Sequence, residues 1–263
     1  MVTLLDYKNY TEQVLCEAKR LKIISKYRVG LDNINLESLK KRNITLGWTG
    51  GVNQRSVSEL TPCFILGLFR NVFQSAFNLK HTRWEKDGGQ QLTGKTIGII
   101  GCGHIGSDLI ELLTPFKCSL LVNDIVDKSK FCLTHGAIQV DLETLVSKSD
   151  LISLHVPLTT LTREMVDKNI LSKIKSDAYL INTSRGGIIN EKVLKKALKQ
   201  KLIAGAAIDV FVDEPPSDEE FLNLPNLAST SHIGGNAREA VEAMGLSAID
   251  HLIAFFKRYP SPS

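Results

Sequence analysis

The stretch Thr96–Leu113, TIGIIGCGHIGSDLIELL, decides the predicted fold. Its first five residues are a continuous apolar run, which is typical of a strand buried on both faces of a parallel sheet. Gly101, Gly103 and Gly106 follow with the spacing of a turn that joins a strand to a helix around a pyrophosphate. The next residues predict a helix whose N-terminus would face the phosphates. We therefore expect a strand–turn–helix unit that binds a dinucleotide.

The next strand carries the residue that selects the nucleotide. The segment LLVND ends at Asp124, 18 residues after Gly106. A carboxylate at this position accepts hydrogen bonds from the hydroxyls of the adenosine ribose, and it repels a 2′-phosphate. The sequence therefore predicts NAD rather than NADP as the cofactor.

Strands and helices alternate over most of the chain. We predict strands at Leu21–Ser25, Ile44–Leu46, Thr96–Ile100, Ser119–Val122, Leu151–His155, Ala178–Asn182, Gly205–Val210 and Leu227–Thr230. We predict helices at Leu36–Arg42, Ile105–Pro115, Leu142–Lys148, Lys168–Ile174, Glu191–Lys199 and Ala237–Phe256. Strands separated by helix-length segments form βαβ units, so the predicted fold class is α/β with a doubly wound parallel sheet of the Rossmann type.

The segment Ser56–Lys80 is long, apolar and helix-periodic, and it opens on Ser56-x-x-Glu59, a possible capping box. Pro62 conflicts with a continuous helix because an interior proline removes a hydrogen bond and clashes with the preceding turn. Two alternatives stay open: the helix begins after Ser56, or it is kinked at Pro62.

Composition excludes several classes of function. The formal net charge is +4 and lysines are spread along the chain, so we expect neither a nucleic-acid nor a membrane partner. Five cysteines without a CxxC pair indicate no disulfide framework, no metal site and a reducing compartment. We find no signal-peptide pattern and no apolar run of membrane-spanning length, so we expect a soluble, cytoplasmic protein.

Three polar residues follow predicted strand ends at the edge that carries the glycine turn. They are Arg185, Glu214 and His232, and ligands of doubly wound sheets bind beyond that edge. Histidine suits the transfer of a hydroxyl proton near neutral pH, and a neighbouring carboxylate would orient the imidazole. A guanidinium binds a substrate carboxylate through two hydrogen bonds. A surface turn, a loop acid and a structural histidine remain the alternative interpretations of these residues.

Motifs along almost the whole chain resemble those of the D-isomer-specific 2-hydroxyacid dehydrogenase family, and most closely those of the D-3-phosphoglycerate dehydrogenases. The matching strings are KYRVGLDNINLE, GGVNQRSVSELT, LTGKTIGIIGCGHIG, LVND, SLHVPLT, LINTSRGGIIN, AAIDVFVDEPP and STSHIGGNAREA. The resemblance implies an NAD-binding Rossmann domain at residues 55–236. It also implies a flavodoxin-like substrate domain formed by residues 1–54 and the C-terminal segment 237–263.

The resemblance also implies roles for individual residues. Arg185 would bind the substrate and act in catalysis, Glu214 would pair with the histidine, and His232 would be the general acid/base. The implied cofactor residues are Gly101, Gly103, His104, Ile105 and Gly106 at the pyrophosphate, Asp124 at the ribose, Val156 and Pro157 at the adenine side, and Thr183, Asp209, Gly234 and Gly235 at the nicotinamide. Val29 and Gly30 would present backbone amides to the substrate, and the Ser56–Lys80 region would form a homodimer.

Two departures from the family pattern concern the substrate side. Arg28 stands where the family usually has glycine or alanine, which would narrow the pocket or add a positive charge for an acidic substrate. The chain also begins late relative to the family, so we expect an incomplete substrate domain that lacks its opening βαβ stretch. Residues that recognise a distal phosphate would lie in that stretch.

The implied activity is NAD-dependent hydride transfer on a D-2-hydroxyacid, with 3-phosphoglycerate as the leading substrate. A glyoxylate or hydroxypyruvate reductase is an alternative that the motifs do not separate from it. A non-catalytic, corepressor-like or scaffold protein that binds NAD is a second alternative, and it would bind the cofactor without turnover.

Overall fold

The computed structural model describes residues 2–5 and 10–259. Its strands are β1 (Val2–Leu5), β2 (Ile23–Lys26), β3 (Thr45–Gly47), β4 (Thr96–Ile100), β5 (Ser119–Asn123), β6 (Ala137–Gln139), β7 (Leu151–Leu154), β8 (Tyr179–Asn182), β9 (Gly205–Ile208) and β10 (Leu227–Ser229). Its α-helices are α1 (Glu12–Glu17), α2 (Leu36–Lys41), α3 (Gln54–Phe69), α4 (Val72–Lys80), α5 (His104–Leu113), α6 (Ser129–Thr134), α7 (Leu142–Lys148), α8 (Lys168–Leu171), α9 (Glu191–Lys199), α10 (Glu219–Leu222) and α11 (Arg238–Arg258).

The chain divides into two compact units. One consists of residues 1–56 and 235–263, and the other of residues 57–234. The assignment of a substrate domain (1–54 with 237–263) and an NAD-binding domain (55–236) stays a prediction. Residues 1, 6–9 and 260–263 of the predicted substrate domain lie outside the described residues.

The first unit contains a parallel sheet in the order β1-β2-β3, and α11 packs on β2 and β3. All four residues of β2 are buried, and the Ser25 hydroxyl donates to the Ala248 carbonyl of α11 at 2.6 Å. The sequence analysis did not predict β1 or α1. The strand predicted at Leu21–Ser25 begins two residues early and ends one residue early, since Lys26 still pairs with β1.

The second unit contains a parallel sheet of seven described strands in the order β10-β9-β8-β7-β4-β5-β6. The strand order reverses between β4 and β7, since β5 and β6 extend one way and β8 to β10 the other. Ligands of such sheets bind in the crevice at this reversal, outside the carboxyl ends of the strands. The predicted doubly wound α/β sheet is confirmed, and it places the glycine turn after β4 beside the reversal.

Helices cover both faces of this sheet. Phe64 and Ile65 of α3 and Leu109 and Ile110 of α5 pack on one face, and α7 and α9 pack on the other. Four of the five residues of β4 are buried. Burial of one isoleucine side chain stabilises a fold by about 1.5–3 kcal/mol. The apolar runs that predicted the strands therefore also supply the core.

The prediction for the Ser56–Lys80 helix is wrong in two respects. Helix α3 begins at Gln54, so the helix starts before Ser56, and Pro62 lies inside it without ending it. Ser56 is therefore inside the helix rather than its cap, and its hydroxyl accepts a hydrogen bond from Ala237 N at 3.2 Å. A kink at Pro62 stays a prediction. The segment also breaks between α3 and α4, where Asn71 has a φ of 55° and cannot continue a right-handed helix.

Short elements account for most of the remaining differences. The sequence analysis did not predict β6, α6 or α10, which have three, six and four residues. Predicted strand ends at His155, Val210 and Thr230 also extend one or two residues too far. His155 N and Thr230 N still donate to the neighbouring strands, at Ile100 O (2.7 Å) and Ile208 O (3.0 Å), so the pairing fades gradually at these ends.

Candidate active site

The turn after β4 requires glycine for two different reasons. Gly101 has a φ of +95°, and a Cβ there would lie 2.5 Å from the His155 carbonyl oxygen. A Cβ on Gly106 would lie 2.0 Å from the Gly101 carbonyl oxygen, where α5 crosses the turn. A Cβ on Gly103 would meet nothing within 4 Å. The space beside the Gly103 backbone is therefore open, as an approaching pyrophosphate requires.

The N-terminus of α5 faces this opening. Gly103 is its N-cap and His104 its first residue, and no described side chain caps the helix. A ten-residue helix whose first N–H groups are not capped offers hydrogen bonds and a positive dipole end to an anion. Ile105 follows within the same turn.

Asp124 lies directly beside the glycine turn. Its Oδ2 accepts a hydrogen bond from Cys102 N at 2.6 Å, and its Oδ1 accepts one from Val126 N at 2.8 Å. The carboxylate is half-exposed, and each oxygen keeps a lone pair for a ribose hydroxyl. The donors, the open position at Gly103 and this acid fit NAD.

The connection after β7 forms the other wall of the crevice. Val156 is half-buried and lies against Gly101, and Pro157 is exposed. His155 is buried; its Nε2 contacts Ser153 Oγ at 2.9 Å, and its Nδ1 has no hydrogen-bond partner among the described residues. Burial lowers the pKa of His155 to about 4. This imidazole is therefore neutral at physiological pH and supports the turn.

The connection after β8 carries Arg185. Asn182 fixes it, since its Nδ2 donates to the Arg185 carbonyl at 2.8 Å and its Oδ1 accepts from Ser184 N at 3.0 Å. The Arg185 guanidinium is half-buried and donates to the Ser184 carbonyl at 2.7 Å. Thr183 is buried against Thr61 of α3, with 3.3 Å between the hydroxyls.

Glu214 and His232 form a hydrogen-bonded pair. The Nδ1 atom of His232 lies 2.8 Å from Oε2 and 3.0 Å from Oε1 of Glu214. The Glu214 carboxylate also accepts a hydrogen bond from Phe211 N at 3.1 Å. Both side chains are a little more than one third exposed. The pairing engages Nδ1, so a proton exchanged with a ligand would pass through Nε2.

Asp209 holds the loop that carries His232. Its buried carboxylate accepts hydrogen bonds from Ile233 N and Gly234 N, both at 2.8 Å, and from the Thr230 hydroxyl. His232 itself has a φ of 54°, in the left-handed region that side chains other than glycine rarely adopt. Bonds on both sides of His232 thus maintain this conformation. The predicted contact between Asp209 and the nicotinamide stays a prediction.

The remaining predicted site residues belong to the first unit. Val29 and Gly30 are half-exposed in the loop after β2, and the Val29 carbonyl accepts a hydrogen bond from Trp48 Nε1 at 2.8 Å. Gly235 lies against Asn53, whose Nδ2 would be 2.5 Å from a Cβ at that position. Their predicted roles toward substrate and nicotinamide stay predictions.

Sequence reasoning missed two structural roles at the site. It did not recognise Asp209 as the anchor of the His232 loop, because their hydrogen bonds join residues more than 20 positions apart. It set His155 aside as a strand end without predicting its burial. The only signal for either was the position just after a buried strand.

The described helices include none with the length and apolar character that a membrane crossing requires.

Comparisons with known proteins agree with this geometry. The family model described as D-isomer specific 2-hydroxyacid dehydrogenase, NAD binding domain, matches residues 63–234. The glyoxylate reductase of Thermococcus litoralis is 38% identical over 98% of this chain and 80% of its own length. The D-3-phosphoglycerate dehydrogenase of Methanocaldococcus jannaschii is 36% identical over 89% of this chain and 45% of its own length.

A solved structure shares the fold throughout. The D-lactate dehydrogenase from Aquifex aeolicus, complexed with NAD and lactic acid, has a TM-score of 0.89 and 27% identity; the match covers 100% of this chain and 86% of that one. The family model, the relatives and the NAD-compatible turn all lead to the same assignment. The chain belongs to the D-isomer specific 2-hydroxyacid dehydrogenase family of NAD-dependent oxidoreductases.

Proposed function

We propose that this chain interconverts a D-2-hydroxyacid and its 2-oxoacid, with His232 as the general acid/base, Glu214 as its paired acid and Arg185 as the group that binds the substrate carboxylate. The observation that carries this proposal is the 2.8 Å contact between His232 Nδ1 and Glu214, on the sheet edge that also carries Arg185. Bound NAD supplies the hydride acceptor at the nicotinamide, or the donor when reduced.

The proton transfers follow from the hydrogen bond between His232 and Glu214. In the oxidation, His232 Nε2 accepts the hydroxyl proton as the C2–H bond breaks, and Glu214 stabilises the resulting imidazolium through Nδ1. His232 then releases the proton to solvent. In the reduction, the same nitrogen protonates the carbonyl oxygen. Arg185 fixes the substrate through its carboxylate and polarises the neighbouring carbonyl.

The cofactor contacts that we propose follow the nucleotide from one end to the other. The backbone of Gly101, Gly103 and Gly106, with His104 and Ile105, would bind the pyrophosphate, and Asp124 the adenosine ribose. Val156 and Pro157 would border the adenine. Thr183, Asp209, Gly234 and Gly235 would border the nicotinamide, and Val29 and Gly30 would bind the substrate carboxylate through their amides.

For the substrate itself, we propose 3-phosphoglycerate, because the motifs around Arg185 and His232 resemble those of phosphoglycerate dehydrogenases. A second candidate is the reduction of glyoxylate or hydroxypyruvate. The similarity of this chain to a glyoxylate reductase over 80% of that protein's length favours it.

A substrate panel at matched NADH concentration tests the function. We expect turnover with 3-phosphohydroxypyruvate, glyoxylate or hydroxypyruvate, and the highest kcat/KM among them identifies the substrate. NADH binding measured by calorimetry without turnover of any 2-oxoacid would contradict the enzyme and favour a non-catalytic NAD-binding protein of the corepressor or scaffold type.

We further propose that the region Ser56–Lys80 forms a homodimer. Large apolar side chains of α4 and the residue stretch after it are exposed, including Val72 (52%), Phe77 (51%), Leu79 (58%) and Trp84 (76%). Exposed apolar groups at this density are typical of an interface. We expect F77E to halve the mass measured by light scattering. L161E, at an exposed leucine elsewhere, should leave it unchanged; a monomeric wild type would contradict the proposal.

We also propose a cytoplasmic location. All five cysteines are free thiols, which is typical of a reducing compartment. Fractionation of cells that express the chain tests this location.

A further inference from the structure

The loop that carries Glu214 depends on a second acidic residue. Glu191 is the first residue of α9, and its Oε1 accepts a hydrogen bond from Val212 N at 2.7 Å. Val212 is itself exposed, so its side chain does not hold the loop in place. Val212 N–H is the donor next along the chain from Phe211 N–H, which is bonded to Glu214.

The same loop is also packed against the connection that carries Arg185. A Cβ on Gly186 would lie 1.8 Å from the Phe211 carbonyl oxygen, so the two backbones are in direct contact. The Phe211 side chain is buried in the core beneath. Gly186 and Glu191 therefore restrain Phe211 and Val212 from one connection, which begins at Arg185 and ends in α9.

These contacts link the proposed substrate-binding and acid/base groups. Phe211 N–H fixes the carboxylate of Glu214, and that carboxylate fixes Nδ1 of His232 at 2.8 Å. A displacement of Phe211 and Val212 moves Glu214, and with it the imidazole. Displacements of about 1 Å far from the reacting atoms can lower a rate by about 100-fold.

We infer that Glu191 is a positioning residue for the reaction: by accepting the Val212 N–H it sets the place of Glu214, and through Glu214 that of His232. The role of Glu191 is indirect, because its hydrogen bond goes to Val212 N–H and not to His232. The inference rests on the proposed function of the Glu214–His232 pair.

The charges around Glu191 are consistent with a specific hydrogen bond from Val212 N–H. Burial raises the pKa of the Glu191 carboxyl, the hydrogen bond from Val212 opposes that rise, and the charges of Asp213, Asp218 and Glu214 add to it. Lys195, one turn further along α9, pairs with Asp218 and does not neutralise Glu191. At this half-buried, acidic place the Glu191 carboxylate supplies the acceptor that the Val212 amide needs.

Three variants test the inference. E191A removes the acceptor, E191Q keeps an acceptor oxygen without the charge, and E219A is the matched control. Glu219 is also the first residue of its helix but makes no side-chain hydrogen bond to residues 211–214. The measurements are kcat and KM for the 2-oxoacid identified by the panel, NADH affinity, and amide hydrogen exchange at Phe211 and Val212.

In E191A we expect amide exchange at Val212 and Phe211 to become about tenfold faster and kcat to fall about 10- to 100-fold. KM and NADH affinity should stay within about twofold, because the inferred role concerns Glu214 and His232 rather than the glycine turn. E191Q should restore kcat to within about threefold of wild type, because its amide oxygen still accepts the Val212 hydrogen bond. E219A should behave as wild type.

An E191A protein whose kcat stays within twofold of wild type would overturn the inference, as would faster exchange at Val212 with no change at Phe211. If E191A does not fold, E191D takes its place, because it shortens the side chain by one methylene and withdraws the carboxylate from Val212 N–H. An unchanged kcat in E191D would then contradict the inference. Failure of the proposed function is distinguishable, because a wild type without turnover still reports the coupling of Phe211 to Glu191 through amide exchange.

Discussion

The glycine turn after β4 and the His232 loop after β10 lie on the same edge of one sheet, yet they are built in different ways. The turn is defined by backbone, since Gly101 and Gly106 are required where a Cβ would meet a carbonyl oxygen at 2.5 and 2.0 Å. The loop is defined by side chains, since Asp209 and Glu214 hold it from connections far away in sequence. We infer that binding of the cofactor and chemistry on the substrate can be disrupted separately.

H232A should give the largest difference between the loss of kcat and the loss of NADH affinity. Loss of the imidazole should lower kcat by about 10³- to 10⁴-fold, because no other group takes the hydroxyl proton. NADH affinity should stay within about twofold of wild type. Steady-state kinetics and calorimetry check both numbers. The half-buried His251, whose Nε2 contacts Thr49 Oγ1 at 2.9 Å, provides H251A as a control for the loss of a histidine. Turnover retained in H232A would refute its role.

Substitutions at Gly103 and Gly106 should affect the glycine turn and leave the His232 loop intact. G106A should lower the free energy of unfolding by about 3 kcal/mol, because its Cβ would overlap the Gly101 carbonyl. G103A places its Cβ in open space and changes only the N-cap of α5, so stability should fall by about 1 kcal/mol at most while NADH affinity falls. Chemical denaturation and calorimetry separate the two effects. Equal loss of stability in both variants would show that the turn is not built as described.

A third prediction concerns the buried histidine beneath the turn. His155 has a pKa of about 4 in the folded chain, against an ordinary value of 6.5. The unfolded chain therefore takes up the proton first, so stability that is present above pH 6.5 is lost as the pH falls toward 4. The loss is about 3 kcal/mol between pH 7 and pH 4.

Denaturation of wild type and H155Q at several pH values measures this contribution. Below pH 6.5 the wild type should lose about 3 kcal/mol more than the variant, which has no titrating group at this position. Parallel pH dependence in both proteins would mean that the imidazole is not buried in its neutral form.

The smallest expected effect lies at the ribose. D124A should weaken NADH binding about tenfold, or about 1.4 kcal/mol, because the ribose hydroxyls lose an acceptor. It should also narrow the preference for NADH over NADPH, because the charge that repels a 2′-phosphate is gone. Titration of both cofactors provides the ratio. D127A, which replaces an exposed acid three residues on, should leave the ratio of NADH to NADPH affinity unchanged. An unaltered ratio in D124A would mean that another residue sets the preference for NADH.

The same contrast explains how much could be predicted from the sequence. The strand β4 and the glycine turn were predicted correctly because local sequence determines them: an apolar run and three glycines at fixed spacing. Asp124, Arg185, Glu214 and His232 were chosen for their positions after strands. The structure brings Glu214 and His232 into contact, as expected of a paired acid and histidine.

What could not be predicted depends on distant contacts. The Asp209 carboxylate anchors the His232 loop across 21 to 25 residues of sequence, and Glu191 reaches Val212 across 21. Periodicity also failed between α3 and α4, because Asn71 interrupts the helix with a left-handed backbone that its apolar neighbours do not signal. Pro62 lies inside α3, so the helix does not begin after it, and a bend at Pro62 stays a prediction.

Transfer of deuterium from reduced cofactor labelled at C4 of the nicotinamide shows whether this chain passes a hydride to a 2-oxoacid. Wild type, H232A and G103A would each be incubated with the labelled cofactor and a mixture of glyoxylate, hydroxypyruvate and 3-phosphohydroxypyruvate, and the products analysed by mass spectrometry. We predict deuterium at C2 of one 2-hydroxyacid with wild type, a trace with H232A at saturating cofactor, and recovery with G103A as the cofactor concentration is raised. Wild-type protein that binds the labelled cofactor but transfers no deuterium to any of the three acids would contradict the account.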